Sequence, residues 1–271
     1  MIRPKRLALM SAATLGCASA ATPPSSDVGD SGIVDATSER DVRTFDGASN
    51  NQDAASDAGA VSLDGGGDPY EIIKNPVDLA QISQISKFRS CAGHDFSGLS
   101  LAEDVRETER SMKHYFAPTA VLVGSSDKVR LFAPFDGTLE TYSGASSGSR
   151  GGTIRIRSNP NVPLAFEFMH TEVLTAFKVG DKVKAGDHIG YASLGKGGHD
   201  FDLVLRGYKG GQVSGEVLDS VFNDMNTAVL AAYAARGVTP ANVIVTRGQR
   251  DANPCKYDAG NASPDNWVDL N

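Results

Sequence analysis

Three cysteines stand far apart in the chain, and a different chemistry is open to each. Cys17 follows Leu15-Gly16 at the end of a short apolar run that begins at Leu7, behind the basic start Arg3-Pro4-Lys5-Arg6. A basic start, a short apolar core and small residues at the exit make a secretory signal. Leu15-Gly16-Cys17 also fits a bacterial lipobox, in which the Cys is acylated and becomes the new N-terminus, although Thr14 stands where that pattern prefers Leu. Ala18-Ser19-Ala20 offers an ordinary signal peptidase site instead; the lipoprotein reading is preferred. Such an anchor is stable because each buried lipid methylene contributes about 0.8 kcal/mol. With lipid on Cys17, Cys91 and Cys255 remain as an even pair, and in an oxidising compartment a disulfide between them is the simple hypothesis. Two unrelated buried thiols are the alternative, since sequence does not say whether the two Cα atoms come within bridging distance. Of the histidines, His188 reads as a surface residue in a turn segment, and His114 has no role that its surroundings suggest.

The elements that must position these groups occupy only part of the chain. From Ala21 to Asp68 there are ten acidic residues against two basic ones, Arg40 and Arg43, a balance of −8. The whole chain carries −7, so the remainder sums to about +1. A folded part with so little charge has no field to steer nucleic acid, and nucleic-acid binding is excluded as an expectation. No run of roughly 18 apolar residues is present, so no ordinary transmembrane helix is expected. The 21–68 segment is rich in Ser, Asp, Ala and Gly, with one Phe and no apolar periodicity. It cannot bury enough surface to offset its ordering entropy and reads as a disordered acidic tether. The expected organisation is a signal peptide of lipoprotein type over 1–20, the linker over 21–68, a β domain over 69–211, and a helical C-terminal extension over 212–271.

Within the β domain, Leu79 to Ile85 reads as a short N-terminal helix. Val129 to Pro134 is a strand stopped by proline, Asp136-Gly137 a turn, and Thr138 to Tyr142 the return strand. Thr153-Ile154-Arg155-Ile156-Arg157 alternates as a strand does, with Leu164 to Met169 as its partner. Phe177 to Gly190 places glycines at regular turns, and Phe201 to Leu205 closes the β region. Short, closely spaced strands with Gly and Pro at the corners argue for a sandwich or barrel. From Leu218 the apolar residues Val221-Phe222, Met225, Val229-Leu230 and Tyr233 recur at helical spacing, ending at Arg236-Gly237 with Gly as the cap.

Several of these segments carry a resemblance. Ala133-Pro134-Phe135-Asp136-Gly137-Thr138-Leu139 resembles a hairpin of the lysostaphin-type zinc endopeptidases, and Phe177 to Gly190 is similar to the glycine-turn segment of the same family. That second segment also occurs in biotinyl-lipoyl domains. His170 precedes it, where the family carries the His of a Y-x-H strand, and a Gly-rich loop then leads to a last strand, where the family carries H-x-H-F-E-V. The resemblance runs from about Phe88 to Gly207. It implies a mainly β fold, the duplicated hybrid motif (barrel-sandwich hybrid), an antiparallel assembly with its groove on one sheet. It also implies zinc held by H-x-x-x-D and by the second His of H-x-H, with an open position where bound water becomes a nucleophile. The remaining two histidines of the family pattern assist proton transfer and stabilise developing charge.

The metal positions are changed. Cys91-Ala92-Gly93-His94-Asp95 matches the early motif, with Asp95 on the family's Asp but Cys91 in place of the first His. A thiolate can bind zinc; a disulfide sulfur cannot. The last motif has two registers. In one, His199 takes the first His and Phe201 the metal position, where it offers no lone pair. In the other, which keeps apolar residues on apolar positions and is preferred, Asp200 and Asp202 replace the two histidines, and Cys91, Asp95 and Asp202 are the only metal set left. His170 and His199 are the remnant catalytic positions. The first expectation is therefore a lipoprotein of the outer membrane or periplasm, anchored at Cys17, whose degenerate domain binds peptidoglycan or an envelope protein without a cofactor. A zinc peptidoglycan endopeptidase with non-standard ligands is the second, and a structural lipoprotein with no peptidoglycan role the third.

Overall fold

The computed structural model describes residues 71–271 except 145–150, 161, 163, 196, 209–215 and 258–262. The expected signal, the Cys17 lipid site and the acidic linker lie outside the described residues. Ile154 and Ile156 alternate with Thr153, Arg155 and Arg157, and on strand β7 (Gly152–Arg157) the isoleucines are fully buried while their neighbours are partly exposed. That period of two lets one face of the sheet carry the core. β7 pairs antiparallel with β8 (Leu164–Val173), Ile154 opposite Phe168 and Ile156 opposite Phe166. β8 pairs on its other edge with β11 (Phe201–Tyr208), Leu203 opposite Phe168. β11 in turn pairs with β4 (His114–Pro118), Phe201 opposite Phe116. Phe116, Phe166, Phe168, Phe201, Leu203 and Leu205 all point to one side and are fully buried.

The sheet continues through β1 (Ile82–Ser86) to β13 (Trp267–Asp269) on one side, and through β6 (Gly137–Ser143) to β9 (Lys182–Val183) on the other. β10 (His188–Ala192) joins β8 to β5 (Arg130–Phe132), and β12 (Glu216–Asp219) joins β11 to β2 (Leu99–Ser100), which pairs β3 (Val105–Arg106). The β12–β2 pair is parallel, so the sheet is mixed and not purely antiparallel. No helix among the described residues is long and apolar enough to cross a membrane.

The structure departs from the sequence reading in three elements. Leu79–Gln81 is a single 3-10 turn capped by the Asp78 side chain, and the expected helix gives way to β1. A register shift between Ile82 and Gln84 lets Ile82 and Ile85, three apart, both face the core, which is why their spacing imitates a helix. β5 and β6 do not form the expected hairpin: β5 pairs β10, and β6 pairs β7 and β9. The Asp136 carboxylate accepts from the Ala185 amide at 2.9 Å and from Lys184 Nζ at 2.7 Å, tying that corner to the glycine-turn segment and not to a neighbouring strand. The C-terminal extension is not simply helical. β12 and the 3-10 turn Val221–Asn223 precede α1 (Thr227–Ala234), then α2 (Pro240–Val243) and α3 (Arg247–Ala252), and β13 returns to pair with β1. Gly237 takes φ +83° just beyond α1, the conformation that favours glycine at a helix end.

Candidate functional site

On the face of the sheet opposite the phenylalanine core, side chains follow from parity. Asp202 lies opposite Tyr115 on β4 and Met169 on β8. Residues directly opposite one another share a face, so Asp202, Tyr115 and Met169 point the same way, and Phe201 and Leu203 point into the core. The register that put Phe201 at a metal position is therefore corrected: Phe201 is fully buried against Phe116, ring centroids 5.7 Å apart. His199 is exposed, outside the strand.

Asp202 is fully buried, and its Oδ2 accepts a 2.8 Å hydrogen bond from Lys113 Nζ. Lys113 is itself 2% exposed. Each of these ions alone would lose several kcal/mol of hydration, so neither is stable there without the other. The ammonium also lies over the rings of Phe96, at 4.7 Å, and Tyr115, at 4.6 Å, where the negative ring faces attract it. His94 Nε2 is 3.3 Å from the same Nζ. Among the described residues, Asp202 Oδ1 is buried without a hydrogen-bond partner.

His94 and His170 reach this pair by two backbone devices. Gly93 takes φ +66°, and a Cβ there would meet the Tyr115 hydroxyl at 2.0 Å, so only glycine lets the loop lie on that ring. The His94 amide donates to the Tyr115 hydroxyl at 3.4 Å, and its Nδ1 is 2.8 Å from the Asp95 carbonyl. Burial, and secondarily the Asp202 charge, push the Tyr115 hydroxyl well above its ordinary range, so it stays neutral. His170 is the extra residue of a β-bulge: Gly152 pairs Thr171, but Thr153 pairs Met169. It takes φ +62°, uncommon for a non-glycine residue. Regular alternation would send it to the face opposite Met169; the bulge re-aims it, and its Nε2 comes within 3.4 Å of Asp202 Oδ2. Further along the face, Glu167 receives Arg206 Nη1 at 2.7 Å and Arg155 Nε at 2.8 Å, and the Arg206 guanidinium covers the other reach of Phe96 at 5.5 Å.

The residues expected to hold zinc are not brought together. Cys91 is disulfide-bonded to Cys255, Cα atoms 5.3 Å apart, and Arg250 Nη1 lies 2.8 Å from its sulfur. A sulfur so committed is no thiolate ligand. Asp95 is exposed and accepts from the Ser97 hydroxyl two residues on, as a turn-capping residue does. Among the described residues no group of three His, Cys, Asp or Glu side chains converges as a metal site. Where the family resemblance implies a metal, this chain has an ammonium on the one well-placed carboxylate, and the Cys91/Asp95/Asp202 set does not fit zinc.

Two other histidines have structural places. His114 is fully buried, with Nδ1 2.8 Å from the Ser86 carbonyl and Nε2 2.8 Å from the Ser220 hydroxyl. Desolvation lowers its pKa to about 4. His188, expected on the surface, is half-buried between the rings of Phe132 and Tyr191. Lys113, His94, Phe96 and Tyr115 are the site residues that motif matching did not single out. Strand parity carried a signal for two of them, since Lys113 and Tyr115 alternate with core-facing His114 and Phe116.

A scan against protein-family models and a search of curated proteins return no match. Among solved structures the chain is similar to Helicobacter pylori Csd3, with 17% identity and a TM-score of 0.32, over 67% of this chain and 39% of that one. The chain thus spans well under half of that protein's length.

Proposed function

We propose that the chain is an exported cell-envelope lipoprotein, anchored at Cys17, whose β domain is of the duplicated hybrid motif type and binds peptidoglycan without cleaving it. An envelope protein is the other partner class to be tested. The reading is carried by one observation: the only buried carboxylate of the expected ligand set, Asp202, holds Lys113, while Cys91 is spent in a disulfide. What remains on that face is a binding surface. His94 and Asp95 are exposed, and the His170 side chain is about a third exposed beside them. Imidazoles and a carboxylate at the edge of a sheet face suit the amides, hydroxyls and carboxylates of a peptide-bearing polymer.

Co-sedimentation with purified sacculi tests this. The full chain is expected in the pellet, and the His170→Ala/Asp95→Ala variant is expected to lose most of that retention while melting like the unaltered protein. An unaltered chain that stays in the supernatant sinks the peptidoglycan reading. Soluble muropeptides released by the purified chain would overturn the non-catalytic part.

A further inference from the structure

We infer that the cavity between the end of β1 and helices α2 and α3 is a binding site for a small organic carboxylate with an apolar body, held by Lys87 and Arg250. Its volume of about 400 Å³ falls within the range of roughly 300–1,000 Å³ usual for small-molecule sites. The cavity follows from one backbone tie. The Phe88 amide donates to the Val243 carbonyl at 2.8 Å, and the Val245 amide donates to the Phe88 carbonyl at 3.0 Å. The 243–245 segment is thereby laid beside the end of β1, with α2 before it and α3 after it. Lys87 lines the cavity from just beyond β1 and Arg250 from α3, while Ile244 and Val245 supply apolar surface.

Charge points to the ligand. Among the described residues no Asp or Glu lines this cavity, in a chain whose net charge is −7. Three arginines around it hold carboxylates: Arg89 has Glu103 and Glu107, Arg110 has Glu107 and Asp251, and Arg247 has Glu103. Arg250 is different. Its Nε donates to the Arg89 carbonyl at 2.6 Å and its Nη1 to the Asn253 carbonyl at 2.9 Å, and Nη1 lies 2.8 Å from the Cys91 sulfur. These partners are all neutral and use only Nε and Nη1. Among the described residues neither Arg250 Nη2 nor Lys87 Nζ has a hydrogen-bond partner. Burial is the largest influence on the Arg250 pKa and lowers it, and the Arg110 charge acts the same way, as expected of a cation with no counter-ion. Gln249 adds a donor: its Oε1 accepts from the Thr246 amide at 3.0 Å, which leaves its Nε2 for a ligand. A planar guanidinium edge and a point-like ammonium together complement a carboxylate. Ile244 and Val245 beside them suit the apolar remainder of an organic anion.

Amide NMR on the full chain with its disulfide intact, at fixed ionic strength in chloride, tests this with benzoate, acetate and benzamide. Benzoate joins a carboxylate to an apolar ring; acetate lacks the ring and benzamide lacks the charge. Benzoate is expected to shift the Gln249, Arg250 and Asn253 amides saturably, and acetate and benzamide to bind about tenfold more weakly or less. Lys87→Gln is expected to melt like the unaltered protein and to weaken benzoate about tenfold, the loss of one charge-assisted bond. The inference is overturned by the absence of a saturable shift with benzoate, by acetate or benzamide binding as tightly as benzoate, or by Lys87→Gln binding it unchanged. None of these residues belongs to the face proposed to bind peptidoglycan, so this test and the sacculus test fail or stand separately.

Discussion

His114 lies behind the candidate site, buried between Phe88 and Phe222 and bonded at both ring nitrogens. Its pKa of about 4 in the fold lies below the unfolded value of 6.5. As pH falls through 6.5 the unfolded chain takes up a proton that the folded chain refuses until about 4. This contribution to stability is therefore fully present above pH 6.5 and is lost between 6.5 and 4, by about 3 kcal/mol in total. Urea midpoints measured from pH 7 to 4 should fall with a slope that His114→Gln reduces by about one proton; an unchanged slope would remove the account. At this scale the sequence was partly legible. Asp202 was recoverable because apolar residues had to stay on apolar positions, and that preference placed Phe201 in the core. Strand parity put Lys113 on the same face, but its pairing with Asp202 was not recoverable, because motif matching asks only which ligand positions survive. His94 stood in the matched segment at no ligand position, and nothing in the motif showed that Gly93, in the left-handed region, turns the loop towards Tyr115.

Among the elements, the 91–97 loop depends most on a covalent tie. The Cys91–Cys255 bond joins residues 164 apart, and the Cys91 amide donates to Asn266 Oδ1 at 2.9 Å, so the loop is fixed to the segment leading into β13. Cross-linking so long a stretch restricts the unfolded chain strongly, and its loss is expected to cost about 2–5 kcal/mol. Cys255→Ser should lower the urea midpoint accordingly. In hydrogen exchange it should release the 91–97 loop and β13 before β8 or β11. Protection lost uniformly across the sheet would show that the disulfide does not act on this loop in particular. The same contrast explains which elements could be read. β7 announces itself because every second residue is buried and alternation records it, whereas β8 and β11 read as short apolar runs, buried without a break over 164–168 and 201–205. β12 and β13 are only a few residues long and become strands because β11 and β1 present free edges to them, information that is tertiary. The His170 bulge is invisible in sequence for the same reason: it exists only as a mismatch between two strands.

At the scale of the molecule, the division into a 69–211 domain and a later extension meets a physical difficulty. Ile72, near the start of the described chain, donates to the Asp224 carbonyl at 2.7 Å and accepts from the Asn226 amide at 3.0 Å. Val217, Val221, Phe222, Val229, Tyr233, Val238 and Val243 belong to the same buried cluster as Phe116, Phe166 and Leu203. Burying each such side chain is worth about 1.5–3 kcal/mol, so their joint loss equals or exceeds the roughly 5–15 kcal/mol by which a domain is stable. Truncation also strips β12 from β11 and β13 from β1, exposing two unpaired strand edges beside apolar surface, a recognised route to aggregation. A chain ending at 211 is therefore expected to be insoluble or to melt without a cooperative transition, whereas the full chain melts in one. Circular dichroism against temperature on both proteins decides it. A truncated chain with a sharp transition and native strand content would mean that the sheet through β11 folds alone and that the later segment merely docks upon it.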